Sequence, residues 1–208
     1  MRYRLLAVLA MLLLWGCAKG PMEVYRGTVP LEGQPAGYVV ASISREKDGW
    51  PFSAYRLKFR NLADKEEGVL ALVLPEFAKS ELDVSTGTHE GAVAALRLPP
   101  GKYEIYNFEI EGGSAIGTAI WSSNQDFSIP FEVADGKFTY VGAYDSASTN
   151  GENIFGMKVL AGLYWFLSNQ SERDLAALKA RMPALKPASI LVTVPDPARL
   201  GIPLFVSP

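Results

Sequence analysis

Two residue types that often carry out chemistry occur only once each in this sequence, as His89 and Cys17. A single imidazole and a single thiol exclude a disulfide within the chain, a thiolate zinc site and a pair of imidazoles on one metal ion. His89 lies close in sequence to Asp83 and Glu90, so a Ser-His-Asp relay or a metal site can be imagined there. No nucleophile motif or ligand spacing accompanies these residues. We therefore interpret His89 as a solvated loop residue.

Acidic residues are the remaining candidates for catalysis. Glu109, Asp126 and Asp145 could form a hydrolytic site if the fold brings two of them into one pocket. The segment 145–153 is rich in oxygen donors and could bind calcium, but it lacks the alternating acids of a dedicated loop. The glycine-rich segment 112–117 is not followed by the Lys-Ser/Thr pair of a phosphate loop. The sequence thus predicts no catalytic residue, no cofactor and no metal site.

Trp121 is the aromatic residue that we single out as a candidate contact for a ligand or a partner. It lies in a long predicted connection, residues 112–126, and is followed by two serines, Asn124 and Gln125. Mixtures of polar and aromatic residues on loops stack on sugars or anchor protein contacts. The alternative is that Trp121 packs against the body of the domain.

The N-terminus has the organisation of a secretory signal. Arg2 and Arg4 precede an uninterrupted apolar run over residues 5–15, and Gly16 and Cys17 follow it. The run is too short to cross a bilayer, since a spanning helix needs about 20 residues. We expect residues 1–16 to be a signal peptide that is removed.

The end of this leader, Leu14-Trp15-Gly16-Cys17, resembles the lipobox of bacterial lipoproteins. The resemblance implies that Cys17 is acylated on its sulfur and then, as the new first residue, on its amine. Several acyl chains, of the palmitate kind, anchor a protein stably because each buried methylene contributes about 0.8 kcal/mol. Ala18 follows the cysteine, and by the same resemblance this favours transfer to the outer membrane. We therefore expect a lipid-anchored protein of the bacterial cell envelope, facing the periplasm.

Composition and charge are those of one folded domain. The 208 residues are 49% hydrophobic and 20% charged, as in a globular protein. Removing residues 1–16, which carry two arginines and no acid, changes the net charge from −2 to −4. Binding to nucleic acid needs a basic face, so we expect no such partner. Oligomeric state is not encoded in these patterns.

Residues 17–37 are predicted to be the lipidated cysteine and a tether, because glycine and proline are frequent there. A short strand over residues 22–28 is compatible with this segment. Residues 38–208 are predicted to form a single domain.

Alternating and polar-free runs predict an all-β domain. The predicted strands cover residues 38–43, 55–60, 69–74, 93–98, 102–111, 127–133, 138–144 and 159–167. The turn at residues 99–101 is expected to place Gly101 at a positive φ, and Asp135-Gly136 is a strong hairpin pattern. Many short strands with frequent turns are typical of an antiparallel β-sandwich, for example an Ig-like one, or of a barrel.

One short C-terminal helix is predicted over about residues 171–182. Ser171 could cap it, acids occupy its first turn, basic residues occupy its last turn, and Pro183 follows. The remaining tail is rich in proline, so we expect an edge strand over residues 189–194 and extended coil elsewhere.

The segment Leu98-Pro99-Pro100-Gly101-Lys102-Tyr103-Glu104-Ile105 is similar to the L-P-x-G-x-Y turn of prealbumin-like and carboxypeptidase-regulatory-like β-sandwiches. The order of hairpin and helix over about residues 93–183 also resembles small domains of unknown function in bacterial lipoproteins. The resemblance implies a sandwich with Tyr103 packed between its sheets. It supplies no catalytic residues.

Two functional hypotheses follow. The first is a non-catalytic lipoprotein whose sandwich binds another envelope protein or cell-wall material through loops or an exposed sheet edge. The second is an enzyme acting on envelope polymers through acidic residues, or a glycan-binding module that uses Trp121. We favour the first because the chain has no motif that carries a mechanism.

Overall fold

The computed structural model describes residues 22–25, 30–74, 82–114 and 117–206. Within these residues the chain forms two β-sheets whose inner faces share one hydrophobic core. The all-β sandwich predicted from the sequence is confirmed. The predicted signal peptide, Cys17 and part of the predicted tether lie outside the described residues.

The first sheet has six strands. They are β1 (Met22–Tyr25), β3 (Phe52–Asn61), β4 (Glu67–Val73), β7 (Gly101–Ser114), β8 (Gly117–Ser122) and β9 (Ile129–Val133). Their order is β1-β4-β3-β7-β8, and β9 pairs with the first part of β7. All described pairings in this sheet are antiparallel.

The second sheet has seven strands. They are β2 (Gly37–Glu46), β5 (Val84–Ser85), β6 (His89–Leu98), β10 (Lys137–Glu152), β11 (Lys158–Ser168), β12 (Ser189–Val192) and β13 (Phe205–Val206). Their order is β13-β11-β10-β2-β6-β5, with β12 beside β10. β10 runs parallel to both β2 and β12, so this sheet is mixed.

Strand β3 shows how the alternating pattern builds the sandwich. Tyr55, Leu57 and Phe59 are buried in the core, as the period of two requires. Lys58 and Arg60 lie on the outer face, where they form ion pairs with β7 and the connection that follows β8. The sequence pattern therefore determines which face of this strand is buried.

Aromatic side chains fill much of the space between the sheets. Trp165 is fully buried and meets the rings of Tyr55 and Tyr144 edge-on, at centroid distances of 6.2 and 6.4 Å. Its neighbours Tyr164 and Phe166 pack against each other, at 5.3 Å. Consecutive residues of a strand point to opposite faces, so the three aromatic residues are divided between the core and the outer surface.

The turn before β7 positions Tyr103 but does not have the predicted backbone conformation. The Tyr103 hydroxyl donates a hydrogen bond of 2.8 Å to the carbonyl oxygen of Pro99, and its ring stacks on Phe131 at 5.4 Å. Gly101 is already the first residue of β7, pairs with Val133 and is not at a positive φ. The expectation of a positive φ was wrong because strand pairing begins at the glycine.

The hairpin between β9 and β10 follows its sequence pattern. Gly136 has a φ of 66°, a conformation that side-chain-bearing residues rarely adopt. The Asp135 side chain accepts a hydrogen bond of 2.8 Å from the backbone N–H of Ala36, just before β2. This turn therefore also positions the start of the neighbouring strand.

Helix α1 (Ser171–Arg181) packs on the outer face of the second sheet. Leu178 is buried there against a cluster that includes Val40, Phe138 and Tyr140. Ser171 does not cap the helix: it is the first helical residue, and its N–H donates to the Asn169 side chain at 3.1 Å. β2 is consequently covered on both faces, and most of its residues are buried.

The tail contains a second short helix, α2 (Pro197–Leu200), where the sequence predicted extended coil. Asp196 caps it by accepting a hydrogen bond of 3.0 Å from the N–H of Ala198. Proline at the first helical position has no N–H to leave unsatisfied, so the Asp-Pro pair is a helix start.

Strand register defines two ends of the sandwich. β1 starts level with Arg56, in the middle of β3, because both Met22 and Arg56 pair with Ala71, and its first residue faces the end of the first sheet where β3 begins. Residues 47–51 join β2 to β3 at that same end, which we call the entry end. The β10–β11 hairpin leaves the second sheet there, because Ser146 pairs with Arg45 and β10 continues beyond β2. The first residues of β2, β10 and β12 lie at the opposite, far end.

Candidate functional site

The three carboxylates proposed for hydrolysis do not form one site. Glu109 is ion-paired with Lys58 at 3.1 Å on the outer face of the first sheet. Asp126 is ion-paired with Arg60 at 3.1 Å near the same face. Asp145 lies on β10, in the second sheet. Each of the first two carboxylates therefore has its own cation, and the third is on the other layer of the sandwich.

The outer face of the first sheet carries a network around Arg60. The guanidinium binds Glu104 at 2.7 Å and lies over the ring of Tyr106 at 4.4 Å. Burial opposes ionisation of Glu104, but hydrogen bonds from Ser128 and Arg60 outweigh it and lower the pKa of this carboxyl. This arrangement keeps Glu104 ionised and paired, which is the opposite of what a general acid requires.

His89 occupies a different position from the one expected. It is the first residue of β6, is half-buried, and its Nδ1 lies 2.9 Å from the hydroxyl of Thr88. The interpretation as a solvated loop residue was wrong, because the hairpin from β5 to β6 closes tightly just before the histidine. The carbonyl of His89 accepts a hydrogen bond of 2.8 Å from the N–H of Thr86.

Asp83 and Glu90, the residues considered with His89 for a relay or a metal site, have other partners. Asp83 forms an ion pair with Arg181 of helix α1, and Glu90 forms one with Arg45 at 2.7 Å. Among the residues that the structure describes, no group of three or more His, Cys, Asp or Glu side chains could hold a metal ion.

The oxygen-rich segment imagined as a calcium loop is mostly strand. β10 extends to Glu152 and pairs with β11 along its length, so the serines of this segment belong to a ladder. In the glycine-rich segment 112–117, residues 112–114 end β7 and Gly117 begins β8, whereas residues 115 and 116 lie outside the described parts.

Trp121 lies on β8 and not on a loop. Its ring meets Phe52 edge-on at 5.2 Å, and the residue is half-buried. Trp121 therefore packs against the body of the domain, which was the alternative to a ligand contact. Trp121 also borders an open cleft of about 290 Å³, together with Leu160 and Leu163 of β11.

A larger apolar groove lies between helix α1 and β12, and sequence reasoning missed it. Its volume is about 430 Å³. It is lined mainly by apolar side chains: Phe138, Leu175, Leu178, Met182, Leu185 and Ile190. The apolar spacing of the helix indicated that one face would be covered, but the groove also requires residues 182–188 to turn back toward β10.

Strand β12 borders this groove and has an exposed apolar edge. It pairs in parallel with the first residues of β10, its only strand partner in the described part of the chain. Ile190, Leu191 and Val192 are 49%, 42% and 43% exposed. A free strand edge with apolar side chains is a template for pairing with another chain.

Lysines surround the groove. Lys179 and Lys186 line it, and Lys137 pairs with Ser189 at the start of β12. Within the described residues none of these lysines forms an ion pair with an acid of this chain. The groove therefore has an apolar floor and a positive rim.

A buried network holds helix α1 in place beside the groove. Asp174 is fully buried and accepts hydrogen bonds of 2.5 Å from Ser42 and from Tyr140. Arg173 donates to the other carboxylate oxygen at 2.8 Å. Burial, followed by the charge of Asp174, raises the pKa of Tyr140. This network is internal, so it positions the groove and does not itself contact a ligand.

The fold and the groove define a two-sheet β-sandwich with a candidate binding surface on its second sheet. No family model and no curated protein matches the chain. Among solved structures, a leucine-rich repeat protein from Bacteroides thetaiotaomicron is similar over 54% of this chain and 14% of that chain, with 17% identity and a TM-score of 0.33. Similarity at this level carries no argument about function. In the described parts of the chain, no helix has the length and hydropathy needed to span a membrane.

Proposed function

We propose that this chain is a lipid-anchored, non-catalytic protein of the bacterial cell envelope that binds an extended segment of another envelope protein. The bound segment lies along β12 and places apolar side chains in the adjoining groove. The observation that carries this proposal is the exposed apolar edge of β12 next to a groove of about 430 Å³.

The anchor is supported by the sequence that precedes the sandwich. Cys17 is the only thiol of the chain and directly follows the leader. β1 begins at Met22, so only four residues separate the cysteine from the first described strand. Acylation of Cys17 would therefore hold the folded domain close to a membrane.

The binding role is supported by the chemistry of the edge and the groove. An added strand gains backbone hydrogen bonds from the edge, and its alternate side chains reach adjacent pockets. Ile190 lies on the strand and also lines the groove, so one segment can use both. Because Lys179 and Lys186 line the groove, we propose that the partner segment is apolar with acidic residues at its margins.

The two alternatives have weaker support. A hydrolase would need converging carboxylates, whereas Glu109 and Asp126 are each paired with a cation and Asp145 lies on the other sheet. A glycan-binding role rests on Trp121, but part of its ring surface is already used against Phe52.

The anchor is tested by acyl labelling in cells that produce the full chain. We expect an alkyne-bearing palmitate to be incorporated into the wild-type protein and not into Cys17→Ser, because position 17 is the only cysteine. The variant should also keep its leader and therefore have a higher mass. Equal labelling of both proteins, or no labelling of either, would contradict lipidation.

The binding surface is tested by site-specific photo-crosslinking in intact cells. A crosslinking residue at position 191 should form an adduct that is absent when the same residue replaces Leu31, an apolar residue that is 70% exposed elsewhere. Ile190→Asp should abolish the adduct at position 191, and Lys179→Glu should weaken it. Adduct formation that is equal at the two positions, or that survives Ile190→Asp, would contradict the proposed site.

A further inference from the structure

The turn between β10 and β11 carries the most exposed apolar side chains of the second sheet. Ile154, Phe155 and Met157 are 92%, 77% and 57% exposed. Single exposed apolar residues are ordinary, but three within four residues at one tip form a patch that indicates a contact surface. We call residues 153–157 the hairpin tip.

The hairpin tip projects beyond strand β2 of its own sheet. The last pairing between β10 and β2 joins Ser146 to Arg45. β10 then continues for six residues, from Ala147 to Glu152, paired with β11. At 3.3 to 3.4 Å per residue these six residues extend about 20 Å. Ser148 is still hydrogen-bonded to Glu46 and Trp50, so only the part of the hairpin beyond Ser148 is available to enter another medium.

Four hydrogen bonds made by Asn153 order the backbone of the tip. The Asn153 side chain accepts hydrogen bonds from the N–H groups of Phe155 and Met157, at 2.9 and 3.0 Å. The Asn153 carbonyl accepts from Gly156 at 2.9 Å, and the Asn153 N–H donates to Met157 at 3.0 Å. In an apolar medium each backbone group without a partner is costly, so these four hydrogen bonds lower the cost of placing the turn in lipid.

β1 runs in the same direction as β3, so its first residue faces the end from which the hairpin projects. Met22 is the first residue of β1, and Cys17 precedes it by five positions. A fully extended segment of that length spans at most about 18 Å. Four residues of β3, about 13 Å, separate the level of Met22 from the entry end, so an extended segment lets Cys17 reach that end. Acyl chains on Cys17 would then bring a bilayer close to the hairpin.

We propose that the hairpin tip inserts into the surface of the same bilayer that holds the acyl chains of Cys17, so that the sandwich stands end-on. This inference rests on the proposed lipid anchor. Glu152 and Lys158 face each other across the base of the tip and are both exposed, so they mark the boundary with the headgroups. Only the tip enters, to a depth of about 5 to 10 Å, as for other interfacial elements.

The test uses the single-cysteine character of the chain. Lipidated protein with Phe155→Cys is purified in detergent, labelled with an environment-sensitive fluorophore and reconstituted into vesicles of phosphatidylethanolamine and phosphatidylglycerol. Ala63→Cys is the matched control, because this exposed residue lies in the β3–β4 turn at the far end. Mass spectrometry of the N-terminal peptide reports acylation of Cys17 separately.

We expect a blue shift at position 155, and loss of its emission when the vesicles contain lipid with a spin label near the headgroup. The probe at position 63 should show neither. Ile154→Asp with Met157→Asp, in the Phe155→Cys background, should return the probe to water. These side chains are exposed, so the fold should be unaffected.

Three results would overturn the inference. They are equal emission at positions 155 and 63, a blue shift that appears without vesicles and grows with protein concentration, and quenching that survives the two aspartates. If Cys17 carries no acyl chain, the proposed anchor fails. The two probes are then compared in the Cys17→Ser background with added vesicles, where the absence of quenching at position 155 also rejects insertion of the tip.

Discussion

The hydroxyl of Tyr140 donates a hydrogen bond of 2.5 Å to the carboxylate of Asp174, and this contact joins strand β10 to helix α1 inside the protein. Ser42 of β2 donates to the same oxygen at 2.5 Å. Two strands thus hold one helix through one buried acid. Because helix α1 forms one wall of the apolar groove, the groove depends on this contact.

Asp174→Ala should lower the free energy of unfolding by about 3 kcal/mol, since it leaves the buried hydroxyls of Ser42 and Tyr140 without their acceptor. Urea denaturation of the purified protein measures the change. Glu172→Ala, an exposed acid in the same first turn, is the control and should change stability by less than about 0.5 kcal/mol. Equal denaturation midpoints for the two variants would show that the network does not hold the helix.

Alkaline pH should destabilise the fold through its buried tyrosines. Burial raises the pKa of Tyr55, Tyr140 and Tyr144 above the ordinary value of 10.0. A raised pKa means that the folded state favours the protonated phenol, so this stability is complete below pH 10 and is lost as pH rises further. Each tyrosine should contribute a loss of up to about 1.4 kcal/mol per pH unit.

Urea denaturation at pH 8, 9, 10 and 11 measures this dependence. Tyr144→Phe should make the decline above pH 10 shallower, because Tyr144 is fully buried and no longer titrates in the variant. A stability that is constant from pH 9 to pH 11 would be inconsistent with tyrosines that remain protonated in the fold.

Two glycines in strands should respond differently to alanine. A Cβ atom at Gly91 would overlap the backbone carbonyl of Ile43, which cannot move without breaking strand pairing. We expect Gly91→Ala to cost more than about 2 kcal/mol. At Gly101 the nearest atom to a Cβ is 3.4 Å away and φ is not positive, so Gly101→Ala should stay within about 0.5 kcal/mol of wild type. Thermal denaturation compares them, and a Gly101 variant that is the less stable of the two would refute this assignment.

Trp121→Ala should destabilise the domain by about 2 kcal/mol, since the ring packs edge-on against Phe52. Ile120→Ala is the matched control, because Ile120 is the preceding residue of the same strand and is 60% exposed. The control should change stability by less than about 0.5 kcal/mol. If Trp121→Ala left the urea midpoint unchanged, its ring would be available for a ligand, and the glycan-binding alternative would gain support.

The local patterns of the sequence predicted much of the sandwich. The alternation of β3 identified its buried face, and Asp135-Gly136 identified a hairpin, because both depend on neighbouring residues alone. The strand that carries Trp121 was missed, since the flanking glycine and serine residues are also typical of a loop. β8 is a strand because it pairs with β7 over six residues.

The candidate site could not be predicted because it depends on contacts between distant parts of the chain. Ser42 and Asp174 are 132 positions apart, and β12 pairs with β10 through residues about 50 positions away. The parallel pairing of β10 with β2 has no local pattern either. The groove between α1 and β12 is a product of these pairings.

Strand β10 extends from the groove to the base of the hairpin tip. This strand of 16 residues begins beside the groove at the far end and finishes at the hairpin tip, a span of at most about 50 Å at 3.3 Å per residue. With the tip on a bilayer, a segment bound in the groove is held at roughly that height. Inserting two residues in each strand of the hairpin would move the bound segment about 7 Å further from the bilayer and keep the same side chains on each face. If both proposals hold, the paired strands β10 and β11 set the distance between the membrane and the bound segment, and a flexible linker does not.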